Sequence, residues 1–254
     1  MESVFDAHLH IIDPAYPLWE NNGYLPETFL VSQYLQRIST LNIVSGAVVS
    51  GSFQCFDQGY LLAALAQLGS EFVGVTQLPA NTPDEVILDL NSKGVRALRF
   101  NLKRGGSEAV SELDYFAHRV YELVGWHIEL YTDSEALNTL RPLLCRLPAV
   151  SVDHLGLDKK GLPLLEFLAD KGIKIKATGF GRLDFDPFEA IKKIHAINSE
   201  AVMFGTDLPS TRAPTPFEAS HLDLLVDLLG ESEAKKVCWL NARAFYRLPE
   251  PLNQ

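Results

Sequence analysis

Short runs of β-branched and aromatic residues alternate along the chain with longer stretches whose apolar positions recur every three or four residues. The short runs fall at residues 4–10 (VFDAHLH), 43–50 (IVSGAVVS), 72–78 (FVGVTQL), 95–101 (VRALRFN), 126–132 (WHIELYT), 149–154 (AVSVDH), 173–179 (IKIKATG) and 201–207 (AVMFGTD). Helical periodicity occupies 29–41, 58–68, 83–93, 113–124, 134–147, 162–171 and 186–197. Local punctuation agrees with this alternation. Thr82-Pro83 and Asp186-Pro187 each place a capping residue before a proline suited to the first helical position, and Gly94, Gly125 and Gly172 stand where a helix C-cap glycine precedes a strand. Strands alternating with helices build a parallel sheet. Eight such strands in 254 residues predict an α/β fold, a (β/α)₈ TIM barrel spanning 1–254 as a single domain, with a doubly wound open sheet as the alternative.

The barrel has a polarity. Its polar residues gather at the C-terminal ends of the strands: His8 and His10, Ser50 and Ser52, Arg99 and Asn101, Glu129 and Tyr131, His154, Arg182 and Asp207. The N-terminal halves read as nearly all apolar. Active sites of this fold lie at the C-terminal face, so the gradient points to a site there.

Composition narrows the function classes. The formal charge is −10, which argues against a nucleic-acid binder but leaves room for a local arginine cluster that takes a small anion. Cys55, Cys145 and Cys238 are widely spaced and odd in number, which fits neither a disulfide framework nor a structural zinc site. The opening MESVFDAHLH carries no basic leader followed by an apolar run, and no segment reaches the roughly 18 apolar residues of a membrane helix. A cytoplasmic protein without membrane partners is expected; the sequence is silent on its oligomeric state.

Three groups carry chemistry. His8 and His10 are two residues apart on a strand and so point to the same side, where two imidazoles can bind a metal or stabilise an oxyanion. Asp207 closes the last strand in MFGTDLP, either capping the next turn or acting as a general base beside the histidines, because strands one and eight are neighbours in a closed barrel. His154, after Asp153 in SVDHLG, is a helix-cap histidine or a third member of the cluster. His118, His195 and His221 lie on helical patterns and read as surface residues. No GxxxxGK[ST], GxGxxG or GxSxG motif is present, which leaves nucleotide binding and a serine nucleophile without support.

DAHLH, VDHLG and FGTDLP, in this order and spacing, resemble the amidohydrolase superfamily, in particular the amidohydrolase-2 branch with the 2-pyrone-4,6-dicarboxylate hydrolases and sugar lactonases. The resemblance runs nearly end to end. It implies a (β/α)₈ barrel that hydrolyses a lactone or an amide, a small anionic lactone being the preferred reading, with His8, His10 and His154 polarising the carbonyl and Asp207 deprotonating water. GVRALRFN followed by Lys103-Arg104 resembles the family's fourth strand and implies carboxylate contacts from Arg99 and from Arg104 or Lys103. Tyr131 and Arg182 match further substrate contacts, Tyr24 in GYLP resembles a loop tyrosine that closes over the substrate, and Ser50 and Ser52 are candidate hydrogen-bonding partners. The segment 236–246 resembles the family's closing helix.

The metal question turns on strand five. Metal-dependent relatives add a histidine there, whereas this strand presents Glu129 and Tyr131 in one phase, with His127 deeper toward the floor if it points the same way. One zinc on His8, His10, His154 and Asp207, with Glu129 as an additional candidate, is compatible with the residues. The resemblance to the dicarboxylate hydrolases favours catalysis that requires no cofactor. Two rivals use the same residues: a mononuclear zinc-dependent decarboxylase of an aromatic-type acid, and a non-catalytic anion-binding barrel.

Overall fold

The computed structural model describes residues 1–249. Eight parallel strands lie in sequence order: β1 (Val4–Leu9), β2 (Ile43–Val49), β3 (Phe72–Thr76), β4 (Val95–Asn101), β5 (His127–Tyr131), β6 (Val150–Val152), β7 (Lys174–Ala177) and β8 (Val202–Phe204). The seam between β8 and β1 is closed by the chain just after β8. The Asp207 N–H donates to the His8 carbonyl at 2.7 Å and the His10 N–H to the Leu208 carbonyl at 2.8 Å. Gly205 permits this approach, since a Cβ there would stand 2.6 Å from the His8 nitrogen. The (β/α)₈ barrel expected from the alternation is the observed architecture.

Helices α1 (Val31–Ile38), α2 (Gly59–Leu68), α3 (Asp84–Ser92), α4 (Leu113–Val124), α5 (Ser134–Leu144), α6 (Leu162–Asp170), α7 (Pro187–Ile197) and α8 (Ser220–Leu229) form the outer ring. Their apolar faces and the outward strand residues, such as Leu98, Phe100, Ile128 and Leu130, make the larger core. Asp186 caps α7 through its side chain, accepting from Phe188 N–H at 2.9 Å. Thr82 does not cap α3; its hydroxyl turns back to the Pro79 carbonyl at 2.7 Å and Pro83 takes the cap position. Gly125 ends α4 in the left-handed region, φ 68°, as its position before β5 predicts.

The lumen is divided. Inward residues of β1 to β3, among them Phe5, Ala7, Ala47, Val49, Val73 and Val75, are small or apolar and pack against Trp239, Ala242 and Tyr246. These last residues come from the closing helical segment, α9 (Glu231–Lys235) and α10 (Asn241–Phe245) with a π-turn between them, Lys236–Leu240. On the opposite side β5 and β7 send His127, Glu129 and Lys176 into the lumen, all fully or almost fully buried. The expectation of apolar lower strand halves therefore fails at β5 and β7. Among the described residues no helix is long and apolar enough to cross a membrane.

Candidate active site

Charged side chains inside the barrel form three tiers. At the floor, Glu129 is saturated: its Oε2 accepts from Lys176 Nζ, and its Oε1 accepts from the Tyr246 hydroxyl and faces His127 Nε2 at 3.2 Å. Burial alone would raise the Glu129 carboxyl, but Lys176 and then His127 hold it down at about 2. His127 points into the lumen and lies deep, its ring 4.0 Å from that of Phe245.

The middle tier joins β4 to the end of β6. Asp153 Oδ2 receives Arg99 Nε at 3.1 Å and Nη2 at 2.8 Å, and Arg99 Nη1 donates to the Ser50 carbonyl at 2.8 Å. The Arg99 fork is thus engaged by the protein itself, although the residue still lines the mouth above. Asp153 Oδ1 stands 3.5 Å from His8 Nδ1 and 3.7 Å from Lys176 Nζ without a hydrogen bond.

The top tier brings together His8, His10, His154 and Asp207. Asp207 Oδ2 is taken by Arg182, which forks onto it with Nε at 2.8 Å and with Nη2. Its Oδ1 has no protein partner and lies 3.7 Å from His10 Nε2 and 3.9 Å from His8 Nε2. Burial pushes the Asp207 carboxyl up, but Arg182 and then His154 outweigh it and keep the acid well below the usual carboxylate range. His10 Nδ1 is 2.7 Å from the Val49 carbonyl, which can only accept, so Nδ1 carries a proton. His154 Nδ1 is 2.7 Å from Thr178 Oγ1, and burial drives the His154 imidazole down to about 3. His8 has no hydrogen-bond partner on either nitrogen, and burial followed by the Lys176 charge lowers it well below the ordinary histidine value. His154 and Asp207 both sit in the left-handed region, at φ 50° and 59°, where a side chain other than glycine is strained and must be held by its surroundings.

Asp6 of DAHLH faces away from this cluster. Its carboxylate accepts from Thr206 N–H (2.7 Å) and hydroxyl (2.6 Å), from Tyr34 and from His8 N–H, so it straps the β1–β8 seam. Burial, opposed by these hydrogen bonds, brings its pKa to about 6.

The mouth is a cavity of about 30 Å³ over His10 and His154, lined also by Ser52, Tyr131, Arg104, Arg182 and Arg212. A water requires roughly 10–15 Å³, so this space takes a water or two and not a ring. A larger groove of about 630 Å³ lies beside the loops after β4 and β5, but none of the histidines lines it.

The other expected residues separate. Lys103 is half-exposed and paired with Asp133 at 2.9 Å, so of the two candidates Arg104 reaches the mouth. Tyr131 packs edge-on to His154, and the Ser50 hydroxyl is engaged by Tyr60 at 2.6 Å. Tyr24 lies under the guanidinium of Arg212. Glu129 belongs to the floor and not to the histidine cluster. Among the described residues, the metal-competent groups are two triads that share His8: His8, His10 and Asp207, and His8, Asp153 and His154. The four-ligand set expected from the sequence is not assembled at one point. Asp153, Lys176 and Arg212 escaped the sequence reading. For Lys176 the signal was available, as a lysine on the inward phase of a barrel strand is rarely buried without a partner.

The family model described as amidohydrolase matches residues 5–248, almost the whole barrel. The chain is a member of the amidohydrolase family. A 2-pyrone-4,6-dicarboxylate hydrolase of Comamonas testosteroni is 28% identical over 156 residues, covering 59% of this chain and 51% of that relative, so the match spans about half its length. A D-galactarolactone isomerase of Agrobacterium fabrum is 25% identical over 270 aligned positions, covering 97% of this chain and 89% of the other. Among solved structures, a probable 2-pyrone-4,6-dicarboxylic acid hydrolase from Acinetobacter baumannii with citric acid bound superposes with a TM-score of 0.82 at 20% identity, covering 98% of this chain and all of that one. At that identity the likeness speaks for the amidohydrolase fold alone.

Proposed function

We propose that this amidohydrolase opens a small anionic lactone with water activated by Asp207. One observation carries the reading: Asp207 Oδ1 has no protein partner and faces His10 Nε2 at 3.7 Å, buried below a mouth rich in arginine, and with the His10 ring neutral in the proposed mechanism both atoms are acceptors. Two acceptors so placed are satisfied together by one donor with two protons, and a water is such a donor. The relatives that act on a pyrone dicarboxylate and a galactarolactone support a lactone as the substrate class.

In this mechanism the water oxygen attacks the lactone carbonyl carbon while Asp207 takes one of its protons. The developing oxyanion is met by N–H groups of His8 and His154, which remain neutral donors because burial depresses both rings. His10 has its only proton committed to Val49, so it orients the water instead of polarising the carbonyl. The ring C–O bond then breaks, and Asp207 returns the proton to the leaving oxygen. The products are a free carboxylate and a hydroxyl. Arg182 and Arg104 hold the substrate's own carboxylates.

The triad His8, His10 and Asp207 fits one divalent cation by distance. If bound, it would supply Lewis-acid polarisation and a more acidic water. The charge environment favours the metal-free route, because Arg182 already neutralises Asp207 and Arg99 and Lys176 already flank Asp153. The test is hydrolysis of 2-pyrone-4,6-dicarboxylate, followed by loss of the pyrone absorbance, with enzyme treated with a strong chelator. Full turnover is the expected result. Turnover that appears only with added zinc overturns the metal-free route, and silence under both conditions on a panel of lactones overturns the hydrolase assignment.

A further inference from the structure

Four arginines line the mouth, and two of them already pair with a carboxylate of the protein: Arg99 with Asp153, and Arg182 with Asp207 through Nε and Nη2, its Nη1 remaining available to substrate. Arg104 and Arg212 have no carboxylate partner among the described residues, although the chain carries ten more acidic than basic side chains. Guanidinium groups that share a small cavity repel one another, and an anion between them removes that cost.

Arg212 is held out for such a role by an unusual scaffold. It lies in the loop after β8 with φ 59°, in the left-handed region, and the same loop holds Ser210 at φ 67°. Its guanidinium carbon stands 4.2 Å from the centre of the Tyr24 ring, a cation–π contact. Its Nη2 alone is hydrogen-bonded, to the Asn21 carbonyl and to Asn21 Oδ1 at 3.1 Å, which leaves Nε and Nη1 as donors. Asn21 and Tyr24 are the ends of a tight hairpin, bonded at 2.9 and 3.2 Å, with Asn22 and Gly23 at φ 52° and 72° as a two-residue turn requires. Asn21 Nδ2 also donates to the Arg104 carbonyl at 2.9 Å. One asparagine therefore ties together the loops after β1, β4 and β8, holding the guanidinium of Arg212 and the backbone of Arg104.

We propose that Arg212 and Arg104 form a second anion-binding position, outside the one served by Arg182, and that Arg212 sets the preference of the enzyme for substrates with two carboxylates. Asn21 and Tyr24 are its positioning residues.

This inference rests on the lactone-hydrolase reading for its turnover test, and a binding measurement separates the two. The ratio of kcat/KM for 2-pyrone-4,6-dicarboxylate to that for 2-pyrone-6-carboxylate is measured for the wild type, Arg212→Gln and Arg212→Lys. The ratio is expected to fall by roughly 10–100-fold in Arg212→Gln, mainly through KM for the dicarboxylate, as befits loss of a charge-assisted fork. Arg212→Lys recovers part of it, and Asn21→Ala produces a smaller fall. An unchanged ratio, or a loss confined to kcat, overturns the proposal. In parallel, citrate, a tricarboxylate that the enzyme cannot hydrolyse, is titrated calorimetrically, and its affinity is expected to drop about tenfold or more in Arg212→Gln. If no lactone turns over yet citrate binding weakens in this way, the hydrolase reading fails and the anion position stands. If lactones turn over while neither the ratio nor citrate affinity moves, the anion position fails alone. Absence of citrate binding to the wild type also overturns it.

Discussion

The barrel holds two buried clusters of charged and aromatic side chains a few ångströms apart, and they are built on opposite principles. At the floor, both oxygens of Glu129 are taken, by Lys176, Tyr246 and His127. At the top, His8 Nδ1, His8 Nε2, Asp153 Oδ1 and Asp207 Oδ1 have no protein partner at all. Unpaired buried polar groups cost stability, about 1–3 kcal/mol each, so a fold retains a set of them where a ligand or reactant will use them. The floor resembles a structural joint and the top a prepared site. Asp153 lies on the border, with one oxygen locked by Arg99 and the other bare.

The top cluster depends most on Asp207, whose Oδ1 is unpartnered. Asp207→Asn keeps the shape and removes the base. Turnover is expected to fall by about 10³-fold or more, with little change in thermal stability, because Arg182 can still bond the remaining amide oxygen. Near-normal kcat would move the base elsewhere and reduce the top tier to another joint.

The floor should respond in the opposite sense. Glu129→Gln takes from buried Lys176 its hydrogen-bonded counter-ion and leaves only Asp153, at 3.7 Å and shared with Arg99, so denaturant unfolding is expected to show a loss of about 3 kcal/mol. Its acid sensitivity supplies a finer reading. Glu129 titrates near 2 in the fold, below its ordinary value of 4.5, so its stabilising contribution is complete above 4.5 and drains away as pH falls toward 2. His127, depressed by burial, acts in the same direction, losing stability as pH falls below its ordinary value of 6.5. Wild-type stability should therefore decline through the acid range, and Glu129→Gln should decline less steeply. Equal slopes would show that the floor charges are not linked to folding.

These two clusters were unequally legible in the sequence. The alternation of strand and helix patterns located all eight strands, because strand pairing in a barrel follows chain order and leaves little for long-range packing to decide. The top tier was readable for a related reason: His8, His10, His154 and Asp207 sit at strand ends, which closure brings to one mouth. The floor was not, since Glu129 looked like a strand-end residue and its partner Lys176 lies 47 positions away on another strand. Roles that depend on proton placement were also hidden. Only the contact of His10 Nδ1 with the Val49 carbonyl shows which ring nitrogen holds a proton, and the proposed water-orienting role of His10 starts from it. Arg212 was invisible because its loop has no periodic pattern, and its significance lies in contacts with residues some 190 positions earlier.

Tyr246 belongs to the turn that ends α10, stacks on Phe5 at 5.3 Å and donates its hydroxyl to Glu129. It thus fastens the closing helix to the charged side of the lumen, while its ring packs with the apolar side. Tyr246→Phe keeps the stacking and removes the hydroxyl. Glu129 retains Lys176 and His127, so the expected cost is about 1.5–3 kcal/mol, the range for a hydrogen bond to a charged acceptor, and no larger than the loss of the counter-ion. If the floor is purely a joint, kcat and KM of this variant stay near wild type while its midpoint of thermal unfolding falls. A drop in kcat of tenfold or more at unchanged stability would mean that the floor transmits to Asp153 and His8, and that the two clusters work as one.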